Sequence, residues 1–190
     1  MPNRLILIKH AAPEVVPTVP SEQWHLSERG RASCAALAEA VRAHEPRVVV
    51  SSTEPKAIET AELVASALKI PHEPAPDLHE HDRSNVPHMR SSEFISMVEL
   101  FFRRPDELVL GQETAGDAEE RFTSAVEDVV KEHAGRNVAI VAHGTVIALM
   151  LARYSDRPAF AWWRELGLPS MVVLELPEYR IVQTIGKMQA

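Results

Sequence analysis

The sequence has very little cysteine and no long apolar run, and these absences exclude several classes of protein. Cys34 is its single cysteine, so an internal disulfide cannot form, and a protein of the reducing cytoplasm is expected. No stretch approaches the length of a transmembrane helix, and the N-terminal apolar run is too short for a signal peptide, so no membrane association is expected. The Walker A and Gly-x-Gly-x-x-Gly patterns are also missing, which leaves nucleotide cofactors without support.

Positive charge is scarce as well. The 20 lysines and arginines are outnumbered by 27 acidic residues, giving a formal net charge of -7. A chain of this charge is not expected to bind nucleic acid or an anionic membrane. A substrate that carries phosphate would therefore depend on a local group of basic residues.

Strand patterns alternate with helix patterns along the 190 residues, a length that predicts one domain. The strands are predicted at 5–8, 47–50, 138–142, 171–176 and 180–185. The first three are continuous apolar runs, which are typical of a parallel sheet covered by helices on both faces. We therefore predict a three-layer α/β sandwich with a mostly parallel sheet. The segment from about 78 to 112 is predicted to be an inserted helical cap with a helix over 91–104, and Thr114 and Asp117 form a possible capping box for the next helix.

Two histidines follow these apolar runs directly. His10 comes after Leu5–Ile8, and His143 comes after Val138–Ala142. Ligands of open α/β sheets bind outside the carboxyl ends of the strands, so the two imidazoles are expected to meet in one site. A neutral imidazole is a good nucleophile toward phosphorus, and a second histidine can donate hydrogen bonds to the phosphoryl oxygens.

Two lysines occupy positions that a bound anion would explain. Lys56 lies in the first turn of a predicted helix, where the partial positive charge of the helix disfavours it by about 0.3–1 kcal/mol. Lys9 lies at the tip of the first strand, beside His10. Together with Ser51 at the end of the second strand, they predict an anion site. Two lysines that simply point into solvent are the alternative.

Several short motifs now resemble those of the histidine phosphatase superfamily, which includes the cofactor-dependent phosphoglycerate mutases. The motifs appear in the family's order over nearly the whole chain: Leu7-Ile8-Lys9-His10-Ala11, Leu26-Ser27-Glu28-Arg29-Gly30, 51–61, Leu78-His79-Glu80, Gly111-Gln112-Glu113-Thr114 with Asp117 and Arg121, and Val141-Ala142-His143-Gly144.

The resemblance implies a role for each matching residue. His10 would be the nucleophile that becomes phosphorylated, and His143 would contact the phosphoryl group. Lys9 and Lys56 would bind phosphate at the positions of two family arginines, and Glu80 would be the proton donor. The family needs neither a metal nor another cofactor, and its members act on small phosphorylated substrates.

The two lysines leave more than one function open. Arginine grips two phosphate oxygens with a planar fork, whereas lysine is a mobile point charge. A phosphatase acting on phosphate monoesters is the first hypothesis, and a phosphate-recognition or partner-binding protein on the same fold is the second. A mutase is disfavoured because the chain is short and lacks a clear set of extra basic groups. Arg83 and Arg90 are further candidates for substrate contact, and the remaining histidines are expected at the surface: His25, His44, His72, His88 and His133.

Overall fold

The computed structural model describes residues 3–87 and 89–188. Its strands are β1 (Arg4–Lys9), β2 (Val48–Ser51), β3 (His72–Pro74), β4 (Val138–Ala142), β5 (Ser170–Glu175) and β6 (Arg180–Ile185). Its α-helices are α1 (Glu28–Arg42), α2 (Pro55–Leu68), α3 (Ser91–Arg103), α4 (Ala115–Glu132), α5 (Gly144–Arg153) and α6 (Ala159–Glu165), and a short 3-10 helix covers Ser21–Gln23.

One mixed sheet contains all six strands, in the order β3-β2-β4-β1-β5-β6. The first four strands of that order are parallel, whereas β5 runs antiparallel to β1 and β6 antiparallel to β5. The predicted fold class is confirmed, and so is the pairing of the two C-terminal strands.

Side chains of β1 alternate between two separate halves of the core. Leu5 and Leu7 face the half that includes Phe122 of α4 and Ile147 of α5. Ile6 and Ile8 face the half built with α1 and α2. Because successive strand residues point to opposite faces, a continuous apolar run is what a sheet covered on both sides requires.

Three elements were not predicted from the sequence: the short 3-10 helix Ser21–Gln23, β3 and α6. β3 is only three residues long and lies at the sheet edge, in the proline-rich passage that follows α2. The seven-residue α6 precedes β5. By contrast, the capping box of α4 is confirmed: the Thr114 hydroxyl accepts the Asp117 N–H at 3.0 Å, and the Asp117 carboxylate accepts the Thr114 N–H at 3.3 Å.

The surface prediction for the other histidines holds only in part. His25 is 66% exposed at its side chain. His44 is buried, so its prediction was wrong; it follows α1 directly, and its Nδ1 lies 3.1 Å from Arg4 Nη1 of β1. His72 and His133 are half-buried, and His88 lies outside the described residues.

In the described ranges, no helix combines the length and the apolar character that crossing a membrane requires.

Candidate active site

The pairing of β1 with β4 brings the two motif histidines to one edge of the sheet. Lys9 is in register with Ala142, and the His10 backbone N–H donates to the Ala142 carbonyl at 3.0 Å. The residues after both strands therefore emerge side by side. The ring centroids of His10 and His143 are 5.2 Å apart, with an angle of 59° between the planes, and both rings are buried. The predicted meeting of the two rings is what the structure shows.

A backbone carbonyl determines which nitrogen of His10 is free. Nδ1 lies 2.7 Å from the Ala11 carbonyl oxygen, which can only accept a hydrogen bond, so Nδ1 carries the proton. Nε2 then keeps its lone pair. Burial, followed by the charges of His143 and Lys56, lowers the pKa of His10 well below its ordinary value. The ring is neutral at physiological pH, as a nucleophile must be.

Thr60 holds the turn that follows His10. Its hydroxyl accepts the Ala11 N–H at 3.0 Å and donates to the Lys56 carbonyl at 2.7 Å. This hydrogen bond links the end of β1 to the first turns of α2. The orientation of the Ala11 peptide, and through it that of His10, is therefore supported by a buried side chain whose role the sequence motif did not reveal.

His143 is the N-cap residue of α5 and is completely buried. Its Nε2 forms a hydrogen bond of 2.8 Å with the Ser52 hydroxyl, and its Nδ1 has no hydrogen-bond partner within the part of the chain described. Burial is the main cause that lowers the pKa of His143 to about 3; Glu80 opposes this shift, and Lys56 adds to it. A neutral ring with a buried unpaired nitrogen is suited to contact a polar ligand.

The Ser51 hydroxyl has hydrogen-bond partners other than the two motif histidines. It donates to the Ser52 carbonyl at 2.8 Å and lies 2.9 Å from His72 Nε2, on the β3 side of the sheet. Ser52, one residue beyond the end of β2, presents its hydroxyl to His143 instead. The side chains of consecutive residues in an extended chain point to opposite sides, which explains why the Ser52 hydroxyl, and not that of Ser51, lies at His143.

Neither lysine simply points into solvent: Lys56 is buried, Lys9 is half-buried, and both ammonium groups hydrogen-bond to the protein. Lys9 Nζ donates to the Leu166 carbonyl at 2.8 Å, and burial lowers its pKa to about 8, although Glu80 acts in the opposite direction. Gly144 leaves space for the Lys9 side chain, because a Cβ at position 144 would lie 3.0 Å from Lys9 Cε. Lys56 Nζ donates to the Ser21 carbonyl at 2.6 Å and forms an ion pair with Glu54.

Glu80 occupies the N-terminus of α5. Its carboxylate accepts the N–H groups of Thr145 at 3.2 Å, Val146 at 3.3 Å and His81 at 2.9 Å, and it lies 3.4 Å from Arg83 Nη2. Burial by itself would raise the pKa of Glu80. Arg83, His143 and the backbone donors together outweigh burial and lower the pKa to about 2. The carboxylate is thus ionised and held where helix N–H groups favour an anion.

Two charged residues of the site were given no firm role from the sequence. Glu54, which directly precedes α2, has only 8% of its side chain exposed; its Oε1 accepts the Glu80 N–H at 2.8 Å and lies 3.4 Å from His143 Nε2. Arg83 reaches Glu80 and packs over the Phe94 ring at 5.1 Å. Arg90 is exposed at the start of α3.

Arg121 of α4 fastens the loop that carries Glu80. It donates to the carbonyls of Asp77 at 2.8 Å and His79 at 3.1 Å. It also forms an ion pair with Glu113, whose Oε1 accepts the Asp82 N–H at 3.0 Å. The motif that precedes α4 therefore acts on the site through the backbone of residues 77–82.

No group of three or more histidine, cysteine, aspartate or glutamate side chains that could hold a metal ion occurs among residues 3–87 and 89–188.

The match to protein families agrees with this geometry. The model of the histidine phosphatase superfamily (branch 1) matches residues 5–185, and the chain belongs to that superfamily. Phosphatases are present among its structural neighbours. No curated protein matches the sequence at a significant level.

Three solved structures illustrate the similarity. YhfR of Bacillus stearothermophilus is 25% identical with a TM-score of 0.77, and the match covers 97% of both chains. The mycobacterial glucosyl-3-phosphoglycerate phosphatase in complex with inorganic phosphate is 21% identical with a TM-score of 0.74, covering 99% of this chain and 96% of the other. The α-ribazole phosphatase of Shigella flexneri is 20% identical with a TM-score of 0.70, covering 97% and 96%.

Proposed function

We propose that this protein hydrolyses phosphate monoesters through a phosphohistidine formed on His10. The observation that carries the proposal is the buried pair of neutral rings, in which His10 Nε2 keeps a free lone pair 5.2 Å, centroid to centroid, from a second imidazole. Bound phosphate in the neighbouring mycobacterial phosphatase supports a small phosphorylated ligand.

In the first step, His10 Nε2 attacks the phosphorus atom and the bond to the leaving oxygen breaks. Charge on the phosphoryl oxygens would be stabilised by the ammonium groups of Lys9 and Lys56, by Arg83, and by the ring of His143. These groups are already held in place, so little reorganisation is needed when the phosphoryl group transfers.

Glu80 would protonate the leaving oxygen and later take a proton from the attacking water. It is ionised in the resting protein, with its pKa near 2, so it must gain a proton after the substrate binds. The negative charge of a phosphoryl group beside it acts in that direction. Water then breaks the phosphorus–nitrogen bond, and phosphate leaves with His10 restored.

The test is to trap the intermediate. Rapid quenching after incubation with a labelled generic phosphate donor should show acid-labile, alkali-stable phosphate on the wild-type protein, and His10→Ala should abolish it. His25→Ala is the matched control, because His25 is exposed and pairs with Glu59 outside the site. Unlabelled wild-type protein across many donors would count against the proposed turnover.

A phosphate-recognition protein without turnover is the second candidate. It is favoured by the two lysines at positions where the family motif has arginine, and by the engagement of both ammonium groups with protein atoms. Loss of a charge-assisted hydrogen bond costs about 1.5–3 kcal/mol when nothing replaces it. Two such losses would slow turnover by orders of magnitude while leaving some anion affinity.

Replacing both lysines discriminates between the two candidates. A large gain in hydrolysis by Lys9→Arg combined with Lys56→Arg would indicate a damaged catalytic site. Loss of an activity that the wild type has would show that lysine suits the reaction. No gain, together with tight anion binding, would favour recognition.

The chain is further proposed to fold as one domain in which the segment 78–112 forms a cap beside the site. The contact between Arg83 and Phe94 of α3 supports this arrangement, because Arg83 also reaches Glu80. The side chains of this segment would then contact the alcohol part of the substrate. A cytoplasmic location remains a proposal based on the single cysteine.

A further inference from the structure

A buried carboxylate stands among the groups that would hold a phosphoryl oxygen. Glu54 accepts a hydrogen bond from the Glu80 backbone N–H at 2.8 Å and forms an ion pair with Lys56. Its Oε1 lies 3.4 Å from His143 Nε2. An N–H, an ammonium group and an imidazole are donors that an anionic oxygen would use. In this structure Glu54 already uses part of the hydrogen-bonding and ion-pairing capacity of these donors.

Glu54 also changes the charge of the site. In the part of the chain that the structure describes, three cations and two carboxylates act electrostatically on the two neutral rings or contact them: Lys9, Lys56, Arg83, Glu54 and Glu80. Their sum is one positive charge. A singly charged phosphoryl group would neutralise it, whereas a doubly charged group would leave an excess negative charge in a buried site, where uncompensated charge is costly.

We propose that Glu54 is a specificity-determining residue that fits this site to the singly protonated form of a phosphate monoester, in preference to the dianion. The inference rests on the proposed function and names the substrate form that the same site accepts. The two carboxylates disfavour a second negative charge, and the three cations still attract the first.

The proton carried by such a substrate has a place to go. As His10 Nε2 bonds to phosphorus, the phosphoryl O–H proton passes to the Glu80 carboxylate, and Glu80 gives it to the leaving oxygen while the phosphorus–oxygen bond breaks. The products are a neutral alcohol and a phosphohistidine with the single negative charge that the substrate brought. No proton from solvent is needed for this half of the reaction.

Two tetrahedral oxyanions of similar size test the proposal, because perrhenate carries one negative charge and tungstate carries two. Calorimetric titration of the purified protein gives the ratio of their dissociation constants. Glu54→Gln keeps the shape and an acceptor for the Glu80 N–H but removes the charge. We expect this variant to shift the ratio toward tungstate by about tenfold or more, which corresponds to ~1.4 kcal/mol.

Comparing ratios cancels the different hydration of the two anions. Glu62→Gln is the matched control, since Glu62 is exposed on α2 and its loss should leave the ratio unchanged. A folded Glu54→Gln protein with the wild-type ratio overturns the inference. So does wild-type protein that prefers tungstate to perrhenate more than tenfold, a measurement that does not depend on whether the variant folds.

The same titrations separate this inference from the proposed function. If neither anion binds the wild type, both are overturned. If both bind and His10 becomes phosphorylated, but the dianion is preferred as strongly by the wild type as by Glu54→Gln, only the role of Glu54 is overturned.

Discussion

The environment of Glu80 makes a prediction about folding stability that can be worked out from its pKa. Folding lowers the pKa of this carboxyl from 4.5 to about 2. A group with a depressed pKa stabilises the folded state above its unfolded pKa, and the contribution is lost as pH falls toward the folded value. Full ionisation is worth at most about 3 kcal/mol at neutral pH. Glu80→Gln should remove most of that amount.

The pH dependence is the sharper part of this prediction. Between pH 7 and about pH 3.5, the contribution of Glu80 should fall by about 1.4 kcal/mol, because protonation of the unfolded chain begins in this range while the folded carboxylate stays ionised. The quantity to measure is the difference in free energy of unfolding between wild type and Glu80→Gln, from urea titrations at both pH values. Taking the difference cancels the other carboxylates that the two proteins share.

A difference that is the same at both pH values would refute the reasoning, because it would mean that the environment of Glu80 does not favour its ionised form in the folded protein. Glu62→Gln serves as a control. Glu62 is exposed on α2, so its replacement should change the free energy of unfolding by less than about 0.5 kcal/mol at both pH values.

Three further predictions concern other described contacts. Ser52→Ala should reduce hydrolysis of a generic phosphate ester by about tenfold, since it removes a hydrogen bond that positions His143. Ser51→Ala should reduce hydrolysis less. Steady-state kinetics compare the two variants, and equal effects would contradict the assignment of this contact to Ser52. Thr60→Val should lower the free energy of unfolding by about 1–3 kcal/mol, because the Ala11 N–H loses its acceptor; urea unfolding measures this, and no change would contradict it. Phe122→Ala should cost about 3–5 kcal/mol by the same method, and a value under 1 would contradict its place in the core.

The parts of the fold that were predicted are those with a strong local pattern. β1 and β4 are continuous apolar runs, and their pairing brings His10 and His143 together as parallel neighbours. β3 has no such pattern: its three residues are partly or fully exposed, and it exists because its backbone pairs with β2. A strand that depends on its neighbour for hydrogen bonds carries little signal in its own side chains.

The parts of the site that were missed depend on contacts between distant segments. Glu54 is buried because Lys56 lies two residues away and the Glu80 backbone approaches from another loop. Its sequence position before Pro55 is compatible with an exposed residue at the start of a helix. The choice between Ser51 and Ser52 depended on the residue at which β2 ends, and a displacement of one residue reverses the direction of a side chain.

Lys56 and Glu54 can both be buried because each compensates the charge of the other. A lysine ammonium group in a closed site is unfavourable unless a carboxylate or several acceptors compensate it, and here the Ser21 carbonyl and Glu54 do so. An arriving anion must therefore share Lys56 with Glu54 rather than find a free cation. That exchange weakens binding of any anion, but it weakens binding of a doubly charged one more, because the fixed carboxylate repels each added charge. The pairing that permits a buried cation is thus also the one that sets which charge the site accepts.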